Sequence, residues 1–146
     1  MEGGPIAKGE VRAGVVSKAQ PRGRKGIWDS GAGTGTYGIE CALIEPCARV
    51  FSIDKNAEAC DLVAANARRF GAVVETFQGE APSCYGDLPK PDLVIIGGND
   101  GRLDEIFGGA HEALLPGGRL VVPALLEEHK RKANTVFAHS APQHRG

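Results

Sequence analysis

Between residues 26 and 38 the chain reads Gly-Ile-Trp-Asp-Ser-Gly-Ala-Gly-Thr-Gly-Thr-Tyr-Gly, an apolar run that breaks into glycines alternating at Gly31, Gly33 and Gly35. Glycine is needed where a chain turns through unusual dihedrals and where a ligand must approach the backbone closely. Ala32 and Thr34 fill the alternate places of the turn. Asp29, two residues ahead of the first glycine, can accept a hydrogen bond from a ligand ammonium. Asp54 closes the next apolar run, Val-Phe-Ser-Ile-Asp at 50–54. A carboxylate there can hold both hydroxyls of a ribose.

Two ligands compete for this pattern, beside a purely structural glycine loop. Gly33-Thr-Gly35-Thr-Tyr-Gly38 also satisfies G-x-G-x-x-G, the weak signature of a dinucleotide site. The glycine series starts at Gly31, however, so Gly33 is not the first turn glycine. Asp29 would also set a negative charge near a pyrophosphate, whereas it suits the ammonium of a methionine. The pattern favours S-adenosylmethionine. Glu80 and Ala81 follow a third apolar run and can meet an adenine ring, although Glu80 reads equally well as a solvated loop carboxylate. Gly97 and Gly98 end a fourth run, either beside the reacting methyl or as an ordinary tight turn.

These groups need elements to position them. Strands are expected at 26–29, 50–53, 73–78, 93–96 and 119–122, each short and bounded by Gly, Pro or Asp. Helical patterns fall between them. One opens the chain at 8–19, one follows Thr36, and one starts after Asn56 with Ala59, Val63, Ala67 and Phe70 on a single face. Another spans 102–115 and stops at Pro116-Gly117-Gly118. Alternating strands and helices with nearly all-apolar strands predict an α/β fold, a mostly parallel sheet covered by helices on both faces. Such sheets bind ligands beyond the carboxyl ends of their strands, where strand order reverses.

The chain has 146 residues, enough for one domain, expected over 1–146. Its net charge of −1 gives no positive field for nucleic acid or an anionic membrane. No stretch reaches the roughly 18 apolar residues of a membrane span, and the start lacks a signal-peptide core, so a cytoplasmic protein is expected. Four cysteines and four histidines match no metal or redox spacing, so no metal is expected. Glycine is abundant at 21 residues. Gly14, Gly108 and Gly109 fall within helical patterns at about 1 kcal/mol each, which predicts marginal stability.

With these residues in hand, the sequence resembles the decarboxylating precorrin methyltransferases of cobalamin biosynthesis. The similarity lies in Pro5-Ile-Ala-Lys-Gly-Glu-Val-Arg12, in Ile95-Ile-Gly-Gly-Asn-Asp-Gly-Arg-Leu-Asp-Glu-Ile106 and in Pro116-Gly-Gly-Arg-Leu-Val-Val122. It implies a Rossmann-like class I methyltransferase fold and transfer of a methyl group to carbon 15 of a precorrin, with loss of carboxyl from an acetate side chain. It also implies cofactor contacts at Gly31, Ala32, Gly33, Thr34 and Gly35, with Asp54 on the ribose and Ala81 near the adenine. A tetramer is implied as well. Departures from the family are Ala7 in place of a threonine close to the cofactor, Ser30 in place of an aliphatic residue, and Pro123 in place of a polar one. Beyond residue 124 the chain is short. One compressed helix at 125–132 and a strand at 135–139 are expected, with the closing hairpin truncated and a sheet edge uncovered.

A precorrin carries many carboxylates, so cations are expected at the substrate mouth. Lys8, Arg12 and Arg102 are the candidates. Arg102 fits a helix surface equally well, and the Arg22–Lys25 run reads as a solvated loop. No residue stands out as general acid or base. Two rival functions are a methyltransferase for another acceptor, such as a small hydroxyl compound or RNA, and a domain that binds cofactor without catalysis. The turn Gly97-Gly-Asn-Asp100 differs from the (Asn/Asp)-Pro-Pro-(Tyr/Phe) turn of amino-group methyltransferases.

Overall fold

The computed structural model of the protein describes residues 9–126 and 138–140. Helix α1 (Gly9–Ala19) leads into β1 (Gly26–Ser30), α2 (Thr36–Ile44), β2 (Arg49–Asp54), α3 (Ala57–Phe70) and β3 (Glu75–Gln78). A short 3-10 helix (Ser83–Asp87), β4 (Leu93–Ile96), α4 (Leu103–Ala113), β5 (Arg119–Val121) and β6 (Ala138–Ser140) complete the order. The strands form one sheet in the order β3-β2-β1-β4-β5-β6. The first five are parallel and β6 is antiparallel to β5. Strand order reverses between β1 and β4, as the sequence pattern predicts.

Alternation along β1 assigns the two faces. Ile27 faces one core with Val15, Ala19, Cys41, Val50, Leu93 and Ile95. Trp28 faces the other with Tyr85, Ile96, Ile106, Ala110 and Leu120. Each fully buried side chain of this size stabilises the fold by about 1.5–3 kcal/mol relative to exposure. Among the described residues no helix is long and apolar enough to cross a membrane, and no three His, Cys, Asp or Glu residues cluster as a metal site.

Several expectations are corrected. Strand β3 begins at Glu75, and Val73 is 82% exposed, because β3 is the sheet edge and carries little buried surface. Phe70, expected on the buried face of α3, is 56% exposed with the Arg69 guanidinium over its ring. Asn56 caps α3 by position without a side-chain bond; its own N–H donates to Asp54 instead. Gly109 is required by packing, since a Cβ there would lie 2.5 Å from Pro82 Cβ.

The chain end also departs from expectation. Strand β6 pairs with β5 from Arg119↔Ser140 to Val121↔Ala138, so that edge is covered over these residues. Pro123 is buried and opens a helix at 123–126, where Leu126 N–H bonds Val122 O. A proline at the first helical position gives up no needed donor. Residues 127–132 of the expected helix and 135–137 of the expected strand lie outside the described residues.

Candidate functional site

The site is built where β1 and β4 part. Gly97 N–H donates to Ser30 O at 2.8 Å and Gly98 N–H to Gly31 O at 3.0 Å, so the strands remain tied beyond their ends. From the other side Ile53 O accepts Gly31 N–H at 2.8 Å and Ala32 N–H at 3.1 Å. Gly31 has φ +72°, and a Cβ there would stand 2.0 Å from Gly98 O. Gly33 has φ +60° and open space within 4 Å of its missing Cβ. Its N–H donates to Asp54 Oδ2 at 3.0 Å, while Asp54 Oδ1 accepts from Asn56 N–H at 3.0 Å.

This arrangement encloses a cavity of about 220 Å³. Gly31, Gly33, Ile53 and Asp54 form one wall, with Lys55 and Asn56 beside them. Gly79, Glu80 and Ala81 form a second, and Gly98, Asn99, Asp100 and Arg102 a third, with Ile106 beneath. Charges ring the mouth. Lys55 pairs with Asp100, holding the Asp100 carboxyl below the usual range and raising the Lys55 ammonium. Arg102 reaches Glu80 at 3.0 Å and grips Glu105 with two bonds of 3.0 and 3.1 Å. That grip holds the Glu105 carboxyl low and raises the Arg102 guanidinium, with Glu105 the leading cause.

Asp54, Glu80 and Asp100 face Lys55 and Arg102, leaving the lining one net negative charge. S-adenosylmethionine carries a sulfonium, an ammonium and one carboxylate, a net charge of +1, and so complements it. A pyrophosphate would meet the wrong sign. The open approach at Gly33 and the Asp54 carboxylate beside it fit a nucleoside sugar. The lining thus suits a nucleoside ligand of net positive charge.

Of the residues singled out in the sequence, Gly31, Gly33, Asp54, Glu80, Ala81 and Arg102 line this cavity together. Asp29 does not. It lies at 0% exposure on the α2 side of β1, where Oδ2 accepts Gly38 N–H at 2.9 Å and Oδ1 has no partner. Burial pushes its carboxyl up to about 7; the Gly38 bond opposes this and the nearby Asp54 charge adds to it. The alternation that seats Ile27 in that core also turns Asp29 toward α2.

Ala32, Thr34, Gly35 and Gly97 stand behind the lining. Thr34 O accepts Asn66 Nδ2 at 2.9 Å, Gly35 leaves room only for Val63, and Gly97 abuts Gly31 O. Ala7 and Lys8 lie outside the described residues, and Arg12 is described only as part of α1. The Arg22–Lys25 run precedes β1 and so sits at the opposite end of the sheet, with Arg24 bonded to Gln20 O and Gly117 O. Trp28 is core.

Sequence reasoning missed Lys55, Asn56, Asn99 and Asp100. Lys55 and Asn56 follow directly on Asp54, and that adjacency was the available signal. Asp100 has φ +53°, a conformation favoured by glycine and tolerated by Asp, next to Gly101.

A family model described as a precorrin methyltransferase domain matches residues 1–142. A Sinorhizobium precorrin-6Y C(5,15)-methyltransferase (decarboxylating) is 39% identical over 92% of this chain and 34% of its own length. A Salmonella typhimurium cobalt-precorrin-6B C(15)-methyltransferase (decarboxylating) is 37% identical over 92% of this chain and 70% of its own. The chain thus spans about a third of the first relative. A crystal structure of precorrin-6y C5,15-methyltransferase from Geobacter metallireducens superposes with a TM-score of 0.75 at 35% identity, covering 80% of this chain and 62% of that one.

Proposed function

The chain belongs to the precorrin methyltransferase family, with its Rossmann-like class I fold, and we propose that it methylates a ring carbon of a precorrin and promotes loss of carboxyl from an acetate side chain. The methyl donor in this reading is S-adenosylmethionine, and when bound it supplies an electrophilic methyl group. The observation that carries the reading is the Asp54 carboxylate held against Gly33 N–H at the mouth of a net-negative cavity. The names of the relatives support the substrate class.

This chain's residues contribute placement. Asp54 would hold the ribose hydroxyls, with its orientation preset by the N–H groups of Gly33 and Asn56. Glu80 and Ala81 would bound the adenine, and Gly33 leaves room for the amino-acid end. Arg102 and Lys55 are the cations at the mouth that substrate carboxylates can reach by exchange with Glu80, Glu105 and Asp100. A conjugated tetrapyrrole carbon is already electron-rich, so no strong base is needed. Alignment within such a site can supply about 7–11 kcal/mol of barrier lowering.

Calorimetric titration with S-adenosylhomocysteine tests the cofactor assignment. Micromolar binding is expected, and Asp54→Ala should abolish it. Incubation with a precorrin substrate and labelled methyl donor then tests the reaction, with the product gaining one methyl and losing carbon dioxide by mass spectrometry. A folded protein that binds NADH instead would overturn the assignment.

A further inference from the structure

Directly ahead of Gly31, two polar side chains meet inside an otherwise apolar layer. Ser30 Oγ and Tyr85 OH lie 2.7 Å apart, with Ser30 1% and Tyr85 5% exposed. The Tyr85 ring packs on Trp28, with centroids 4.8 Å apart. A buried hydroxyl stripped of its partner is costly, so each member of the pair constrains the other.

The two ends of this bond belong to different walls. Ser30 is the last residue of β1, and the glycine turn that carries Gly31 and Gly33 follows it directly. Its carbonyl also accepts Gly97 N–H, which ties it to the exit of β4. Tyr85 sits in the 3-10 helix that hangs from the second wall. Glu80 O accepts both Cys84 N–H at 3.0 Å and Ser83 Oγ at 2.9 Å. From Glu80 to Tyr85 the backbone is thus one hydrogen-bonded unit, and Ser30–Tyr85 is its fastening to β1.

We propose that Ser30 and Tyr85 are positioning residues that set the spacing between the glycine turn and the Gly79–Ala81 wall, and so the fit of the adenosine part of the cofactor. The inference rests on the cofactor reading above. Neither side chain touches the ligand in this scheme; both act through Glu80 and Ala81. A purely apolar contact could fill the same volume, but it would fix the position of the 3-10 helix on β1 less sharply, because apolar packing is not directional.

The test compares ligand affinity across a set of variants, with S-adenosylhomocysteine and adenosine as probes. The variants are Ser30→Ala, Tyr85→Phe and the apolar double Ser30→Val/Tyr85→Phe, which removes both polar groups and leaves none orphaned. Unfolding by denaturant is followed in parallel. The double variant should fold yet bind both probes about tenfold more weakly, a loss of about 1.4 kcal/mol. Ser30→Thr, which keeps the hydroxyl, should restore binding when Tyr85 is intact. Wild-type affinity for both probes in a folded Ser30→Val/Tyr85→Phe protein would overturn the proposal while leaving the cofactor reading intact. Failure of the wild-type protein to bind either probe would overturn both.

Discussion

Gly31 and Gly98 meet backbone to backbone: the Gly98 N–H donates to Gly31 O at 3.0 Å, and a Cβ on Gly31 would stand 2.0 Å from Gly98 O. Two neighbouring strand exits can approach this closely only if the first residue has no side chain. Both glycines line the cavity.

Gly31→Ala should therefore damage the fold itself. Steric overlap with backbone, added to a left-handed φ of +72°, predicts a loss of about 3–5 kcal/mol in denaturant unfolding. Gly33→Ala is the contrast. It meets open space, so only the conformational penalty of about 1–2 kcal/mol applies, while its methyl enters the cavity and should weaken S-adenosylhomocysteine binding at least about tenfold. Equal stability losses in the two variants would contradict this account.

Asp29 makes stability depend on pH. The native state keeps a proton on it up to about 7, because burial disfavours the carboxylate. The unfolded chain releases that proton at about 4. Between these values the native state binds more protons, so this contribution to stability falls as pH rises from about 4 through 7. Asp29→Asn keeps an acceptor for Gly38 and removes the titration. Urea unfolding at pH 5 and pH 8 should show a larger drop for the wild type than for the variant. Equal drops would rule Asp29 out as the source.

Two adjacent glycines in α4 should respond in opposite directions. Gly108 has nothing within 4 Å of a built Cβ, so Gly108→Ala should stabilise by about 0.5–1 kcal/mol. Gly109→Ala would drive a methyl into Pro82 and should destabilise by about 1–3 kcal/mol. Thermal unfolding of the pair checks both signs at once.

Arg102→Ala should separate binding of the two ligands. Its guanidinium sits at the rim between Glu80 and Glu105. Its loss should raise KM for a carboxylated substrate by about tenfold while S-adenosylhomocysteine affinity changes by less than about twofold. A matching loss for both ligands would place Arg102 in the cofactor wall through Glu80 instead.

The alternation of strand and helix, the exit of β1 as the place of the cavity, and Asp54 with Gly31 and Gly33 in its lining were all legible in the residues. They rest on local chemistry: the period of apolar side chains, the turn residues that end each strand, and a carboxylate at a strand terminus. Tertiary structure decided what depends on residues distant in the chain. It turned Asp29 into the α2 core, joined Glu80 to Arg102 across 22 positions and Ser30 to Tyr85 across 55, and laid β6 on the edge expected to be bare. Spacing along a chain reports which face a side chain takes within its own element. Which partner waits on that face is set by how the elements pack, and no local period carries that information.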